Sequence, residues 1–364
     1  MSLVKKRRKT RQISIGNVKI GSDAPISVQS MTNTDTRDVD TTVTQIRLLE
    51  KAGCEIIRVA VPDMDAALAI EKIKTRISIP LVADIHFDYR LALASAKAGA
   101  DALRINPGNI GAVHKVKAVV DCAADHGIPI RIGVNAGSLE KRIEQRLGTT
   151  AEAMVESALQ NIETLENLNF HRIKVSLKAS DVPRTVAAYR LLADKTDVPF
   201  HVGVTEAGGL YAGITKSAIG IGMLLSEGLG DTLRVSLTRD PVEEVRTGYE
   251  ILRALGIRNR GPELISCPTC GRCKIDLFKI ARDTEKALLE RTSQIKVAIM
   301  GCAVNGPGEA KEADIGIAGG DGKAILFKKG RVIRKMDPEN LVDELLEEID
   351  NMTTNSEETN GKKD

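Results

Sequence analysis

Eight times between residues 26 and 238 the chain passes through a short β-branched, apolar stretch, and after it through a segment whose apolar residues recur at helical spacing. The strand candidates are ISVQSMTN (26–33), EIIRVAVP (55–62), PLVADIHF (80–87), ALRINPG (102–108), IRIGVNAG (130–137), HRIKVSLKA (171–179), FHVGVTEA (200–207) and DTLRVSLT (231–238). Between them lie Ala-, Leu- and Glu-rich segments such as DTTVTQIRLLEKAG and AEAMVESALQNIETLEN, often closed by Gly. Strands alternating with helices predict parallel βαβ units. Eight of them before residue 257 predict an α/β fold of the (β/α)8 TIM-barrel type, spanning 12–257, rather than an open doubly wound sheet. No Gly-x-Gly-x-x-Gly fingerprint opens the first helix, which weakens a dinucleotide-binding fold further.

After the last barrel helix, the polar Gly-Pro stretch IRNRGPELIS reads as a boundary. A smaller α+β domain is expected over 258–350, with a helix (IDLFKIARDTEKALLERT), a strand (IKVAIMG), a hairpin centred on Lys-Gly and a last helix (PENLVDELLEEID). The first 11 residues, with KKRRK, read as a disordered basic tail, and 351–364 as a polar tail too poor in apolar residues to order itself. KKRRK has no apolar stretch behind it, so no secretory signal is expected and the chain is placed in the cytoplasm. No run approaches the roughly 18 apolar residues of a membrane span. A net charge of only +3, with 2% aromatic residues and no Trp, removes the stacking platforms of a single-strand binder, and nucleic acid is not an expected ligand.

Side chains alternate along a strand, so residues two apart share a face. One face carries Arg58, Asp84 with His86, Arg104 with Asn106, Arg131 with Asn135, Ser176 with Lys178, His201 with Thr205, and Arg234 with Ser236. Five cations on five strands meet only Asp84 and Glu206 as evident strand-end anions. Such a face is either a structural ion network or a site for an anionic small molecule, and the surplus of cations favours a phosphorylated or diphosphorylated one. The loop EAGGLYAGITKSAIG after the seventh strand leads into a helix N-terminus, a common phosphate location in these barrels.

Four of the six cysteines fall in CPTCGRC (267–273) and GCAVNGPGE (301–309). Cys54 and Cys122 stand alone in apolar patterns and read as core thiols. Cys267-x-x-Cys270 by itself suits zinc, redox thiols or iron-sulfur sites. With Cys302 added, Cys273 can complete a tetrahedral zinc site, whereas the glycine- and proline-rich turn beside a carboxylate suits a bulkier object.

CPTCGR and GCAVNGPGEA, taken with QSMTNT, VADIHFDYR, RINPGN, GVNAGSL and TEAGG on the barrel, closely resemble the 4-hydroxy-3-methylbut-2-enyl diphosphate synthases of the non-mevalonate isoprenoid pathway, in their two-domain bacterial form. The resemblance implies a barrel that binds substrate and a C-terminal domain that holds a 4Fe-4S cluster, assembled as a head-to-tail homodimer. It implies Cys267, Cys270 and Cys302 as ligands, with Glu309 as the fourth and as a proton-handling group, and Asn305 to orient bound oxygen. Cys273 departs from the family's three-cysteine pattern, as a rival fourth ligand or a free thiol nearby. The implied reaction is reductive opening of 2-C-methyl-D-erythritol 2,4-cyclodiphosphate, with electrons from flavodoxin or ferredoxin. Arg58, Arg104, Arg131 and Lys178 match a clamp for that cyclic diphosphate, with Asn106, Asn135, Arg234 and Ser236 beside them.

Overall fold

A computed structural model describes residues 3–302, 308, 310–320, 323–337 and 340–360, and the chain forms two compact units, Met1–Arg258 and Asn259–Asp364. The first unit begins with a hairpin of β1 (Ile13–Ile15) and β2 (Val18–Ile20). The expected alternation follows: β3 (Ser27–Met31), α1 (Val39–Ala52), β4 (Ile56–Ala60), α2 (Met64–Lys74), β5 (Leu81–Asp84), α3 (Tyr89–Lys97), β6 (Ala102–Ile105), α4 (Pro107–Ile110), α5 (Val113–Asp125) and β7 (Ile130–Asn135). It continues through α6 (Lys141–Leu147), α7 (Ala151–Glu166), β8 (Ile173–Lys178), α8 (Val182–Ala193), β9 (His201–Val202), α9 (Leu210–Ser226), β10 (Thr232–Leu233) and α10 (Pro241–Ala254).

All eight expected strands are present and parallel, each hydrogen-bonded to the next, with β10 returning to β3. A bridge between Val175 and Phe200, with Val175 N–H donating to Pro199 O at 3.0 Å, closes β8 on the segment entering β9 and completes the barrel. Helices cover the outer face, which is why the strands are buried along their length, as in IKVSLK of β8. Most helices start from a side-chain cap. Asp38, Asp63, Asp88, Thr150, Asp181 and Asp240 each accept from a free backbone N–H of the first turn.

The hairpin has no counterpart among the strands expected from the sequence, and it plugs the barrel floor. Ile13, Ile15 and Ile20 pack on Ile56, Val82 and Ala102, at the N-terminal ends of β4, β5 and β6. The described part of the basic tail is not disordered either, contrary to expectation. Arg8 donates to the carbonyls of Ala193, Thr196 and Val198 and lies 4.1 Å from the Phe200 ring centre. Arg11 pairs with Glu166 and Asp197. Carbonyls left open at a helix C-terminus and nearby carboxylates give this cationic arm fixed partners.

In the second unit, β11 (Glu263–Ser266) runs parallel to β12 (Lys296–Met300), which is parallel to β13 (Ile315–Gly319). β14 (Ala324–Lys328) and β15 (Arg331–Met336) add antiparallel at the edge, as the Lys-Gly hairpin predicted. The sheet packs against α11 (Leu277–Leu288) and α12 (Leu341–Asn360) through Leu277, Ile280, Leu288, Val297, Ile317, Leu341 and Leu345. Two expectations are corrected. ELIS, read as linker, is strand β11, and the last helix runs into the expected polar tail as far as Asn360.

Candidate active site

The barrel interior gathers the cations that strand alternation placed on one face. Asp84, 3% exposed, holds two of them: Arg104 Nη1 lies 3.1 Å from its Oδ1 and Arg58 Nε 3.6 Å from its Oδ2. Burial alone would raise this carboxyl, but Arg58, a hydrogen bond with His86, Arg104 and Arg131 outweigh it and hold the pKa well below the usual carboxylate range. Burial, partly offset by Asp84 and reinforced by Arg234 and Arg104, pushes the Arg58 guanidinium down to about 10. Arg234 pairs at 3.3 Å with Glu244, a buried carboxylate on α10 that also accepts from Ser30 Oγ and Leu237 N–H. Arg58 and Arg234 both point N–H groups at Met31 Sδ.

The other cations are less well held. Arg131 is 3% exposed, and its Nε and Nη1 have no hydrogen-bond partner among the described residues. Burial and then the neighbouring Arg58 and Arg104 push its guanidinium well down, and burial, Arg131 and Arg234 do the same to the Lys178 ammonium. Two glycines make room for these groups. A Cβ at Gly133 would collide with the Arg104 guanidinium, and one at Gly203 would stand 2.8 Å from Lys178 Nζ. Buried donors without acceptors cost about 1–3 kcal/mol each, so an interior that keeps several is built to meet an anion.

At the C-terminal ends of the strands, Asn106 caps α4 by accepting from Gly108 N–H at 3.1 Å, while its Nδ2 is buried without a partner. Asn135 stands in register with Lys178. Ser236 lies three residues beyond β10 and is half-buried. The structure thus places Arg58, Arg104, Arg131, Lys178 and Arg234 in one barrel, with Asn106, Asn135 and Ser236 near the strand ends. The helix N-terminus read after the seventh strand is that of α9, where Gly209 at the cap position offers no side-chain acceptor and leaves the first N–H groups open.

Glu206 is exposed at φ 51°, and the second interior anion is Glu244 instead. That residue escaped the strand-face reading because a helix delivers it. Lys174 escaped as well, although it is two residues before Ser176 on the inner face of β8 and the alternation extends to it.

The cysteine motifs emerge at one edge of the second unit's sheet. Cys267 directly follows β11 and Cys302 lies two residues beyond β12, and these strands are paired up to Ser266 and Ile299. Cys267 N–H donates to Ile299 O, and Gly301 N–H points at Cys267 Sγ at 3.2 Å. A Cβ on Gly301 would stand 2.8 Å from Cys273 Sγ and 3.5 Å from Cys267 Sγ, so both sulfurs crowd one glycine. Cys270 is exposed, joined to this turn by Cys273 N–H donating to Cys270 O. Among the described residues, no three His, Cys, Asp or Glu are grouped closely enough for a single metal ion. Four free thiols in the loops that follow β11 and β12, with Gly301 leaving space for two of them, Cys267 and Cys273, fit the donor set of an iron-sulfur cluster. Glu309 and Asn305 lie outside the described residues. Cys54, buried with its thiol pushed up to about 12, is a core residue as expected.

Comparison with known proteins agrees with both halves. The GcpE TIM-barrel domain matches residues 10–249 and the GcpE protein C-terminal domain matches residues 263–351. The protein of Caldanaerobacter subterraneus subsp. tengcongensis named 4-hydroxy-3-methylbut-2-en-1-yl diphosphate synthase (flavodoxin) is 60% identical over 351 residues, covering 96% of this chain and 99% of that one. Proteins of the same name from Ruminiclostridium cellulolyticum and Geobacter sulfurreducens are 59% and 58% identical, over 95% and 94% of this chain and 99% and 98% of theirs. Among solved structures, a Yersinia pestis dihydropteroate synthase aligns with 67% of this chain and 98% of its own, at TM-score 0.48 and 14% identity. With both domain families matched in order and identity near 60% along almost the whole length, the chain belongs to the GcpE family.

Proposed function

We infer that this chain opens 2-C-methyl-D-erythritol 2,4-cyclodiphosphate reductively, with loss of water, to give 4-hydroxy-3-methylbut-2-enyl diphosphate in isoprenoid biosynthesis. The observation that carries this is identity near 60% over 96% of the chain to relatives named for that synthase. The barrel interior supports it chemically. Arg58, Arg104, Arg131 and Lys178 grip the two phosphates from several sides, and Asp84 fixes Arg58 and Arg104 so that they need not reorganise. Arg234, held by Glu244, and Ser236, Asn106 and Asn135 take the remaining oxygens.

Cys267, Cys270, Cys302 and Glu309 would hold a 4Fe-4S cluster, and Asn305 would orient a substrate oxygen. When bound, the cluster supplies the single electrons that C–O cleavage needs and that no side chain carries. The Glu309 carboxyl handles the proton that leaves with water. The electron donor is flavodoxin, as in the relatives' name, with ferredoxin a second candidate. A cytoplasmic setting agrees with six thiols, none in a disulfide. The working assembly is a head-to-tail homodimer.

The test is turnover of the cyclic diphosphate by anaerobically purified protein with reduced flavodoxin, together with an assay of bound iron. The expected result is allylic diphosphate product and about four irons per chain, the content of one such cluster. Zinc in place of iron, or no product, would overturn the reading. Glu309→Ala is expected to keep most iron and lose most turnover, whereas Cys302→Ser loses the iron. Full activity in Glu309→Ala together with an inactive Cys273→Ser would move the fourth ligand to Cys273.

A further inference from the structure

Lys174 lies among the clamp residues with nothing to hold. It is 2% exposed, and its Nζ has no hydrogen-bond partner among the described residues. It stands in register beside Arg131 and shares with Arg131 and Gln29 a cavity of about 10 Å³, sealed by Ile13 and Ile15 of the floor hairpin. Both polar atoms of the Gln29 side chain lack partners too. An ammonium in such a place is destabilising, and an apolar side chain of similar length would serve packing better.

The groups acting on it are Arg131 from β7, Arg58 from β4, Asp231 ahead of β10 and His201 from β9, with Lys178 further along its own strand. Asp231 is the one anion among them, and it is already engaged by Phe200 N–H and Thr10 Oγ1. Burial first, then Arg131, push the Lys174 ammonium well down. Arg131 keeps its proton at neutral pH because a guanidinium does, so of the two it is the buried, partnerless Lys174 ammonium whose charge the empty clamp disfavours.

We propose that Lys174 is a further positioning residue of this reaction: it takes a proton from solvent when a diphosphate settles on Arg131, and so completes the charge around the ligand from within the barrel. This rests on the cyclic-diphosphate reading above. The proton comes from bulk water, returns there when product leaves, and no bond to Lys174 forms or breaks. A diphosphate beside Arg131 replaces the repulsion that Lys174 feels with attraction, which is the condition for the amine to recharge.

The test is calorimetric titration of the full-length, cluster-loaded protein without reductant, in buffers of different ionisation enthalpy near neutral pH. The probes are the cyclic diphosphate and, separately, inorganic diphosphate. The parent is expected to take up protons on binding. Lys174→Met should lose a clear part of that uptake, bind roughly tenfold more weakly, the weight of one pKa unit of coupling, and unfold at a higher temperature when ligand-free. Lys174→Arg, always charged, should also lose the uptake yet keep affinity within a few-fold of the parent. A Met variant that takes up as many protons as the parent, binds as tightly, or unfolds earlier would overturn the proposal. If the parent binds inorganic diphosphate with Lys174-dependent uptake but ignores the cyclic compound, the substrate reading fails and only the recharging of Lys174 by a bound diphosphate stands. Binding of neither probe sinks both.

Discussion

The barrel's cations fall into two kinds, and substitutions should separate them. Arg58 and Arg104 share Asp84, and Arg234 has Glu244. Removing such a shared anion leaves buried charge uncompensated, so Asp84→Ala is expected to cost about 3–5 kcal/mol of stability, read by denaturant titration. Among the described residues Arg131 has no carboxylate partner, so Arg131→Met should unfold no earlier than the parent while losing about 2–5 kcal/mol of affinity for the cyclic diphosphate. A variant binding as tightly as the parent would remove this strand face from the site. The same division sets the pH response. Because the Lys174 and Lys178 pKa values are lowered in the fold, the unfolded chain binds more protons below the ordinary lysine value of 10.5. Stability of the ligand-free protein should therefore rise as the pH approaches that value from below, and Lys174→Met should flatten the rise. Asp84 acts in the same direction in a more acid window: its contribution is present above the unfolded carboxylate value of about 3.9 and is lost as acid carries the pH down toward its lowered folded pKa. The sequence showed Arg58, Arg104 and Arg131 because a charge on a doubly covered strand is conspicuous. Which of them has a partner was not legible, since Glu244 arrives from a helix ten residues after Arg234.

At the level of elements, the chain's β-branched runs were legible wherever the fold buries both faces. β9 and β10 pair over only two residues each, yet VGV and RVSL beside them carried the signal. The β1–β2 hairpin was missed because strands of three residues fall below the run length that marks a strand, and β11 because Gly261 and Pro262 dominate its approach. In the second unit, the glycine after β12 is the point of control. Gly301→Ala would press a methyl group onto Cys273 Sγ, 2.8 Å away, and crowd Cys267 Sγ. We expect Gly301→Ala to bind less iron on anaerobic reconstitution while the barrel's affinity for the cyclic diphosphate is unchanged. Normal iron content in this variant would mean that the sulfurs do not need that space.

Across the whole molecule, the division of labour between two units makes assembly testable. α10 returns from the C-terminal to the N-terminal end of the barrel, and β11 begins at Glu263, nine residues after α10 ends at Ala254. In the head-to-tail pair proposed above, each complete site would draw its barrel from one chain and its cysteines from the other. Mixed dimers of Arg131→Ala and Cys302→Ser chains should therefore recover activity well above either parent variant, since one of the two sites carries neither lesion. Verified mixed dimers that stay inactive would assign each barrel its own chain's cysteines. The isoleucine-lined hairpin under the strands has a further consequence for traffic. A vessel stoppered at the bottom has one doorway, so reactant and product cannot pass through in single file. The spent molecule must back out along the path by which its successor enters, and accumulating product should obstruct new arrivals by outright competition, raising KM and leaving kcat untouched.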